Sequence, residues 1–529
     1  MLEINLRLQR LETYLIPKMT DTLQSHERPT TVSARCSSSN DNEQRQSIKT
    51  WDKLEAIAAT PGFYDSEIEA QLSESSASQD DALNALGDPS KQILTPHNIP
   101  NAETPCSKCG EETKKTAELI QKLPGIQLAW MLFDYYARMV NNFHHEIDIS
   151  FSRSLLETTY TKLHHPEKNS KKDLDFLFCI FSSSCFYIIR NNPNSLPREL
   201  MEARSSYNSW KEIALDLVLI GDAMLSLSLI LLQSVCIMFG LIWDSEGQSP
   251  VFILLRSVAT TKAIQMKLHR VDSHSDTELG ARSTIELDIK RRLWWHLAST
   301  DWIVGSLPGP YEGIYAINPQ HISVEYPTDV DSENAKDLDS RIEESNSPTS
   351  MSFFIQRAKF AGICREVMDL TQNSRFMRNV PEYEHILQLS EKFESFNTQL
   401  PWFFQFDAGK GREADLLTDR YPYIARQRSA LLYALYARLG RLHRPYFLRG
   451  LHNEEYSFSR KTAVSCAQKL LELHATSESE GLFPYVHSYS MDQHLFSVLL
   501  IQVIDVMAEQ DEVRAQIRME GNFQDMYKT

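Results

Sequence analysis

Ser283-Thr284-Ile285-Glu286-Leu287-Asp288-Ile289-Lys290-Arg291-Arg292-Leu293-Trp294-Trp295-His296-Leu297-Ala298-Ser299-Thr300-Asp301-Trp302 reads as one helix that starts in solvent and dives into a core. Ser283 can accept the amide of Glu286 while Glu286 reaches back to Ser283, a reciprocal capping box. Asp288 adds negative charge to the first turn, where the helix dipole favours it. Leu287, Trp294, Ala298 and Trp302 recur near the helical period, and Leu293 and Leu297 widen the stripe until the second half is apolar almost all round. Lys290, Arg291 and Arg292 are therefore expected at the exposed end, and Trp294 and Trp295 in the interior. Adjacent indoles cannot face one way, so two different elements should pack against them. Asp301 falls in an apolar turn, where an ionised carboxylate is costly without a partner. Arg291 and Arg292 stand about 14 Å away along the helix. Arg270, at the end of the preceding helix, is the expected partner.

This stretch also carries a resemblance. Arg291-Arg292-Leu293-Trp294-Trp295, with Asp301-Trp302 six residues on, resembles the fungal-specific transcription factor regulatory domain, the middle homology region of zinc binuclear cluster factors. Lys267-Leu268-His269-Arg270 is similar to the end of that family's preceding helix. Leu442-His443-Arg444-Pro445-Tyr446 with Ser459-Arg460, and the helix from Tyr383 to Leu400-Pro401, are similar to its later landmarks. The likeness runs in order from about residue 119 to 510. It implies an all-α regulatory domain in a nuclear, dimeric transcriptional regulator. It departs at Glu325-Tyr326-Pro327, where the family more often has Asp-Val-Pro.

Composition agrees with a large helical protein. The 529 residues are 42% hydrophobic with only 18 glycines, and the long apolar segments have helical length. A formal charge of -16 disfavours phosphate binding unless basic residues are concentrated. Lys114-Lys115, Lys171-Lys172 and Lys290-Arg291-Arg292 are too short for that. Eight cysteines are scattered, several in apolar runs, which is reduced, intracellular usage. The N-terminus has no basic region followed by an apolar core and is not a secretory signal.

Ile4, Leu8, Leu11 and Leu15 form a seam of about two heptads over residues 1–17. Two heptads are marginal alone, so a frayed helix is one reading; the resemblance implies a short dimerising coiled coil. The six-cysteine cluster that the family carries before such a coil does not precede Ile4. Zinc is therefore expected only in that missing cluster, with no cofactor in this chain. Residues 18–118 are rich in Ser, Thr, Asn, Asp, Gln and Pro and read as a disordered linker. Acidic and leucine positions at 67–86 have the composition of an activation segment, though a solvated linker is the simpler reading. Cys106 and Cys109 supply half a zinc site, but no second pair follows, so a loose loop is expected.

The regulatory domain is expected over 119–510 and a tail over 511–529. Leu123–His145 and Leu174–Ile189 read as helices. His144-His145-Glu146 invites a metal reading, but adjacent histidines on a helix diverge by about 100 degrees. Ala223–Trp243 holds 21 residues without a charge, long enough to span a bilayer; missing flanking cations and the lack of a second such span favour a core helix. Further helices are expected near 251–269, 351–371, 381–400, 419–441, 457–476 and 490–510, with Pro401 and Pro445 as punctuation. No phosphate loop, His-Glu-x-x-His or nucleophile elbow occurs, and His296 reads as a hydrogen-bonded core histidine, so catalysis is not expected. The sequence thus points to a transcriptional regulator acting as a homodimer or heterodimer with a related factor. It would reach DNA through a partner or an absent module and respond to a small-molecule effector, without a membrane. The alternative is a helical partner-binding protein that titrates an intact relative and never touches DNA.

Overall fold

The computed structural model describes residues 107–506 apart from internal stretches, the longest being 274–283, 329–346 and 480–497. Its ordered elements are α-helices and 3-10 turns, with no strand among the described residues, as an all-α chain should be. Ile4, Leu8, Leu11 and Leu15, the tail, the capping residue Ser283 and Cys106 lie outside the described residues.

In chain order the helices are α1 Ser107–Gln121, α2 Ile126–Met139, α3 Asn141–His144, α4 Ile149–Thr161, α5 Lys171–Asn191, α6 Arg198–Ala203 and α7 Tyr207–Leu219. Then come α8 Leu229–Glu246, α9 Pro250–Gln265, α10 Thr284–Gly305, α11 Ser352–Phe376, α12 Tyr383–Gln399, α13 Arg412–Arg420, α14 Ile424–Phe447 and α15 Ser457–Ser479. Helix α1 begins inside the expected linker, and it places Cys109 in a helical turn where a loop was expected. The expected Leu123–His145 helix is broken at Val140 and ends in a turn.

Two hydrophobic cores organise these elements. The first gathers α2 to α10, with Phe133, Phe178, Phe239, Phe252, Trp294 and Trp302 among its buried rings. Helix α8 is its axis. Every residue from Leu231 to Ile242 is buried, because the apolar run leaves no polar side to turn outward. By length and composition α8 alone among the described residues matches a membrane span, but it is enclosed by protein. The second core gathers α12, α14 and α15 around Phe393, Phe404, Leu432, Leu435 and Phe447. Helix α11 belongs to both. Phe354, Ala358 and Ala361 enter the first core, whereas Phe353, Phe360 and Cys364 enter the second.

Helix α10 runs as its pattern requires. Trp294 and Trp295 are buried and face different neighbours. Trp294 packs on the His269 ring at 5.8 Å, and Trp295 stacks on Tyr326 at 4.6 Å while its indole donates to the Glu325 carbonyl. The three cations are less exposed than expected, because acidic groups surround that end. Lys290 pairs with Glu286, Arg291 with Asp272 and Glu325, and buried Arg292 with Asp288. The helix stops at Gly305, where an added Cβ would stand 2.5 Å from the Ile314 carbonyl oxygen. Only glycine tolerates that crossing of the next loop.

Two of the landmark motifs sit differently from expectation. Leu268-His269-Arg270 is not the end of α9 but a separate 3-10 turn, split off by Lys267 in the left-handed region (φ 59). Pro445 does not stop a helix at 441. It sits in the last turn of α14, where its missing amide costs one bond near an end already due.

Candidate functional site

Of the family landmarks, those on α10 and α14 are brought into the interior. Asp301 is 2% exposed, and its partner is Arg256 of α9 at 3.1 Å, not Arg270. The turn at Lys267 leads Arg270 to the surface, whereas Arg256 faces α10 from the helix beside it. The other carboxylate oxygen of Asp301 accepts the amides of Ala316 and Ile317 at 2.8 and 2.7 Å. Burial pushes this carboxyl upward, and those amides together with Arg256 oppose the shift. His443 is fully buried between Ser459 and Ser390, at 2.8 and 3.0 Å from its two ring nitrogens, and burial lowers its pKa to about 4. Arg444 is buried beside it. His269 packs on Trp294, and its carbonyl accepts the Ser323 amide at 2.8 Å. These residues hold elements together. They do not converge on one site.

A different set does converge. Where the two cores meet there is a cavity of about 220 Å³, walled by α2–α3, α8, α10, α11 and α14. Phe239, Val304, Phe353, Phe360 and Leu431 supply its apolar lining. Arg357, on the helix shared by both cores, projects into it and donates to the Thr300 hydroxyl at 2.7 Å. Burial lowers the Arg357 pKa to about 10, with Glu146 and Asp244 as opposing negative neighbours. Asp244 accepts a short hydrogen bond from the Tyr187 hydroxyl, and burial raises its carboxyl.

The chain builds one end of this cavity at the close of α3. His145 takes a left-handed conformation (φ 52), which ends the helix and folds Glu146 back under α2. Tyr136 donates to Glu146 Oε2 at 2.7 Å, and Gln233 of α8 holds the Glu146 carbonyl at 2.8 Å. Across from them stands His296 of α10, 1% exposed, with its ring edge-on to His144 and Phe239. The expected hydrogen bonds of this histidine are not made. Neither ring nitrogen has a partner among the described residues, nor does Glu146 Oε1. The two approach at 3.7 Å, too long for a hydrogen bond. Nor is this an ion pair, because burial, then Arg357 and the neighbouring histidines, hold the His296 pKa well below its usual value. Glu146 is pushed up to about 7 by burial and His144 down to about 3 by the same cause.

The reading of α3 as part of one continuous helix hid this cluster. Residues 144 and 146 share a side only because His145 breaks the spiral. Arg357 and Asp244 had no sequence signal beyond being charged residues in apolar helices.

The fold is therefore all-α, with two cores around a cavity lined by the guanidinium groups of Arg357 and Arg438. The chain is 29% identical over 403 residues to the agnestins biosynthesis cluster transcription factor AgnL11 of Paecilomyces divaricatus, covering 75% of this chain and 57% of that one. It is 28% identical to the probable transcription factor lepB of Aspergillus flavus, over 68% of this chain and 64% of the relative. It is 30% identical to the transcription factor TAS2 of Pyricularia oryzae, over 51% and 35%. These relatives are named fungal transcription factors, and the chain spans about a third to two thirds of their lengths. No protein-family profile matches the chain. Among solved structures, the K. lactis CBF3 core aligns with a TM-score of 0.48 at 11% identity over 75% of each chain.

Proposed function

We propose that this chain is the regulatory part of a fungal-type transcriptional regulator, working in the nucleus as a dimer and controlling a biosynthetic gene set. The observation that carries the reading is the alignment of most of the chain with named transcription factors, one of them assigned to a biosynthesis cluster. Dimerisation is assigned to Ile4, Leu8, Leu11 and Leu15. DNA is reached through a partner or through a separate module, since a net charge of -16 opposes phosphate binding and the runs Lys114-Lys115, Lys171-Lys172 and Lys290-Arg291-Arg292 are short. The cavity between the cores is the effector site. Its 220 Å³ exceeds the roughly 150 Å³ of an engineered cavity that takes up benzene, so a ligand of one or two rings fits. Arg357 selects a negative group on it.

The test joins transcript profiling after gene deletion with imaging of the tagged protein. A coherent set of genes losing expression and a nuclear signal are the expected result; an unchanged transcriptome with exclusion from the nucleus overturns the reading. The purified chain alone should give no sequence-specific gel shift. Titration of an intact relative without DNA contact is the second reading, favoured by the same charge. It would show as specific gene changes with no promoter recovered in chromatin immunoprecipitation.

A further inference from the structure

We propose that His144, Glu146 and His296 form a binding site for a zinc-class divalent cation, with an open coordination position facing the cavity. Their ligating atoms all lie within 4.8 Å of one another. The donor set, two imidazoles and one carboxylate, is the kind that holds Zn²⁺ in sites with a free fourth position.

Four polar atoms at this spot have no hydrogen-bond partner among the described residues: His144 Nδ1, Glu146 Oε1 and both ring nitrogens of His296. Glu146 and His296 are each 1% exposed, so a partner reaches them from the cavity that His296 lines. Buried polar groups are almost always paired, and each one left alone costs about 1–3 kcal/mol. Five residues further along α10, Asp301 avoids that cost with three donors around one carboxylate. A shared cation would engage one atom from each of the three side chains, since an imidazole presents only one of its nitrogens to a given ion.

The distances suit a cation better than a hydrogen bond. Ligands bound at about 2.0–2.2 Å in a tetrahedron stand about 3.3–3.6 Å apart. Glu146 Oε1 and His296 Nε2 are 3.7 Å apart, close to that edge. None of the remaining edges exceeds 4.8 Å. The surroundings also resemble a support for metal ligands. Tyr136 engages Glu146 Oε2 and leaves Oε1 free, and Gln233 pins the Glu146 backbone. The nearby cation, Arg357, is turned to Thr300 and flanked by Asp244, which limits its repulsion. His144 and His296 both line the cavity, so the fourth ligand comes from inside it. A small carboxylate there would bridge the metal and Arg357. That last role rests on the proposed effector function; the metal site itself stands on its own donors.

The test uses the full chain stripped of metal and titrated with Co²⁺. One equivalent should bind with visible d–d absorption, without near-ultraviolet thiolate charge transfer, and be displaced by stoichiometric Zn²⁺. Glu146→Gln and His296→Gln should each weaken binding at least about 100-fold, and Tyr136→Phe about 10–100-fold. Circular dichroism and Tm confirm that each variant is folded, and Glu146→Gln keeps the volume of the native side chain. Equal binding by Glu146→Gln and the native chain overturns the proposal. So does a thiolate band abolished by Cys106→Ser/Cys109→Ser, or the absence of binding by Co²⁺ and Zn²⁺. Benzoate binding to the metal-free chain, read by calorimetry, separates the two ideas: its presence without metal binding retains the effector cavity and rejects the metal.

Discussion

Helix α10 carries two buried polar clusters five residues apart, and they are built on opposite plans. Around Asp301 every oxygen is engaged, by Arg256 and by two backbone amides from the segment that follows the helix. Around His296 four polar atoms on three side chains have no hydrogen-bond partner among the described residues. Asp301, Glu146 and His296 are buried, and His144 is half-buried. A closed network ties three elements of the first core and has nothing left to offer a ligand. The open one sits at the seam of the two cores, beside a cavity, with its capacity unspent. The difference separates residues that hold the fold from residues that await something else.

The sharpest way to break the comparison is to cut the closed network. Arg256→Met leaves the buried Asp301 carboxylate without its charge partner, held only by the Ala316 and Ile317 amides, and should destabilise the chain by about 3 kcal/mol in chemical denaturation. The double variant Arg256→Met/Asp301→Asn should recover part of that loss, since the interaction is pairwise. Strictly additive losses would show that the pair acts as two unrelated polar groups. Trp294→Ala, a cavity in the same core, should cost a comparable ~3–5 kcal/mol without any dependence on Arg256.

Next in size is a pH effect from a second closed network. His443 titrates near 4 in the fold against an ordinary value of 6.5, because burial disfavours its charged form. Its contribution is complete above pH 6.5 and is lost as the pH falls toward 4. The full difference is roughly 3 kcal/mol, from ~1.4 kcal/mol per pKa unit. His443→Gln should flatten the acid limb of stability between pH 6.5 and 4. An unchanged limb would show that other groups govern acid unfolding.

Much of this molecule was legible in its sequence, for reasons that differ by element. Helix α8 declared itself by an apolar run with no polar face, which can only be enclosed. Trp294 and Trp295 declared two neighbours because adjacent helical positions diverge. Asp301 declared a partner on the preceding helix, and α9 supplies it, but through Arg256 rather than Arg270. A single left-handed residue, Lys267, carried Arg270 away. The same kind of event hid the open cluster. The divergence of adjacent histidines on a helix argues against a metal reading of His144-His145-Glu146, but His145 at φ 52 ends the helix and brings Glu146 beside His144. Left-handed non-glycine residues are rare and carry little sequence signal. Both failures trace to them, not to the long-range packing.

The smallest expected effect is the most telling. In a closed network, replacing a carboxylate by its amide breaks donors' geometry and costs stability. At the open cluster the same change should cost little. Glu146 has one oxygen held by Tyr136 and one without a partner, and burial raises its pKa to about 7. A group whose folded pKa lies above the ordinary 4.5 contributes stability that is complete below pH 4.5 and lost as the pH rises through 7. Glu146→Gln removes that loss. Its carbonyl can still accept from Tyr136, and its amide can donate across the 3.7 Å gap toward His296. In metal-free buffer the variant should lie within about 1 kcal/mol of the native chain at pH 6 and be the more stable of the two at pH 8. Denaturation curves at both values decide it. A large loss at pH 8 would mean that the carboxylate is already satisfied, and that the two clusters on α10 are alike after all.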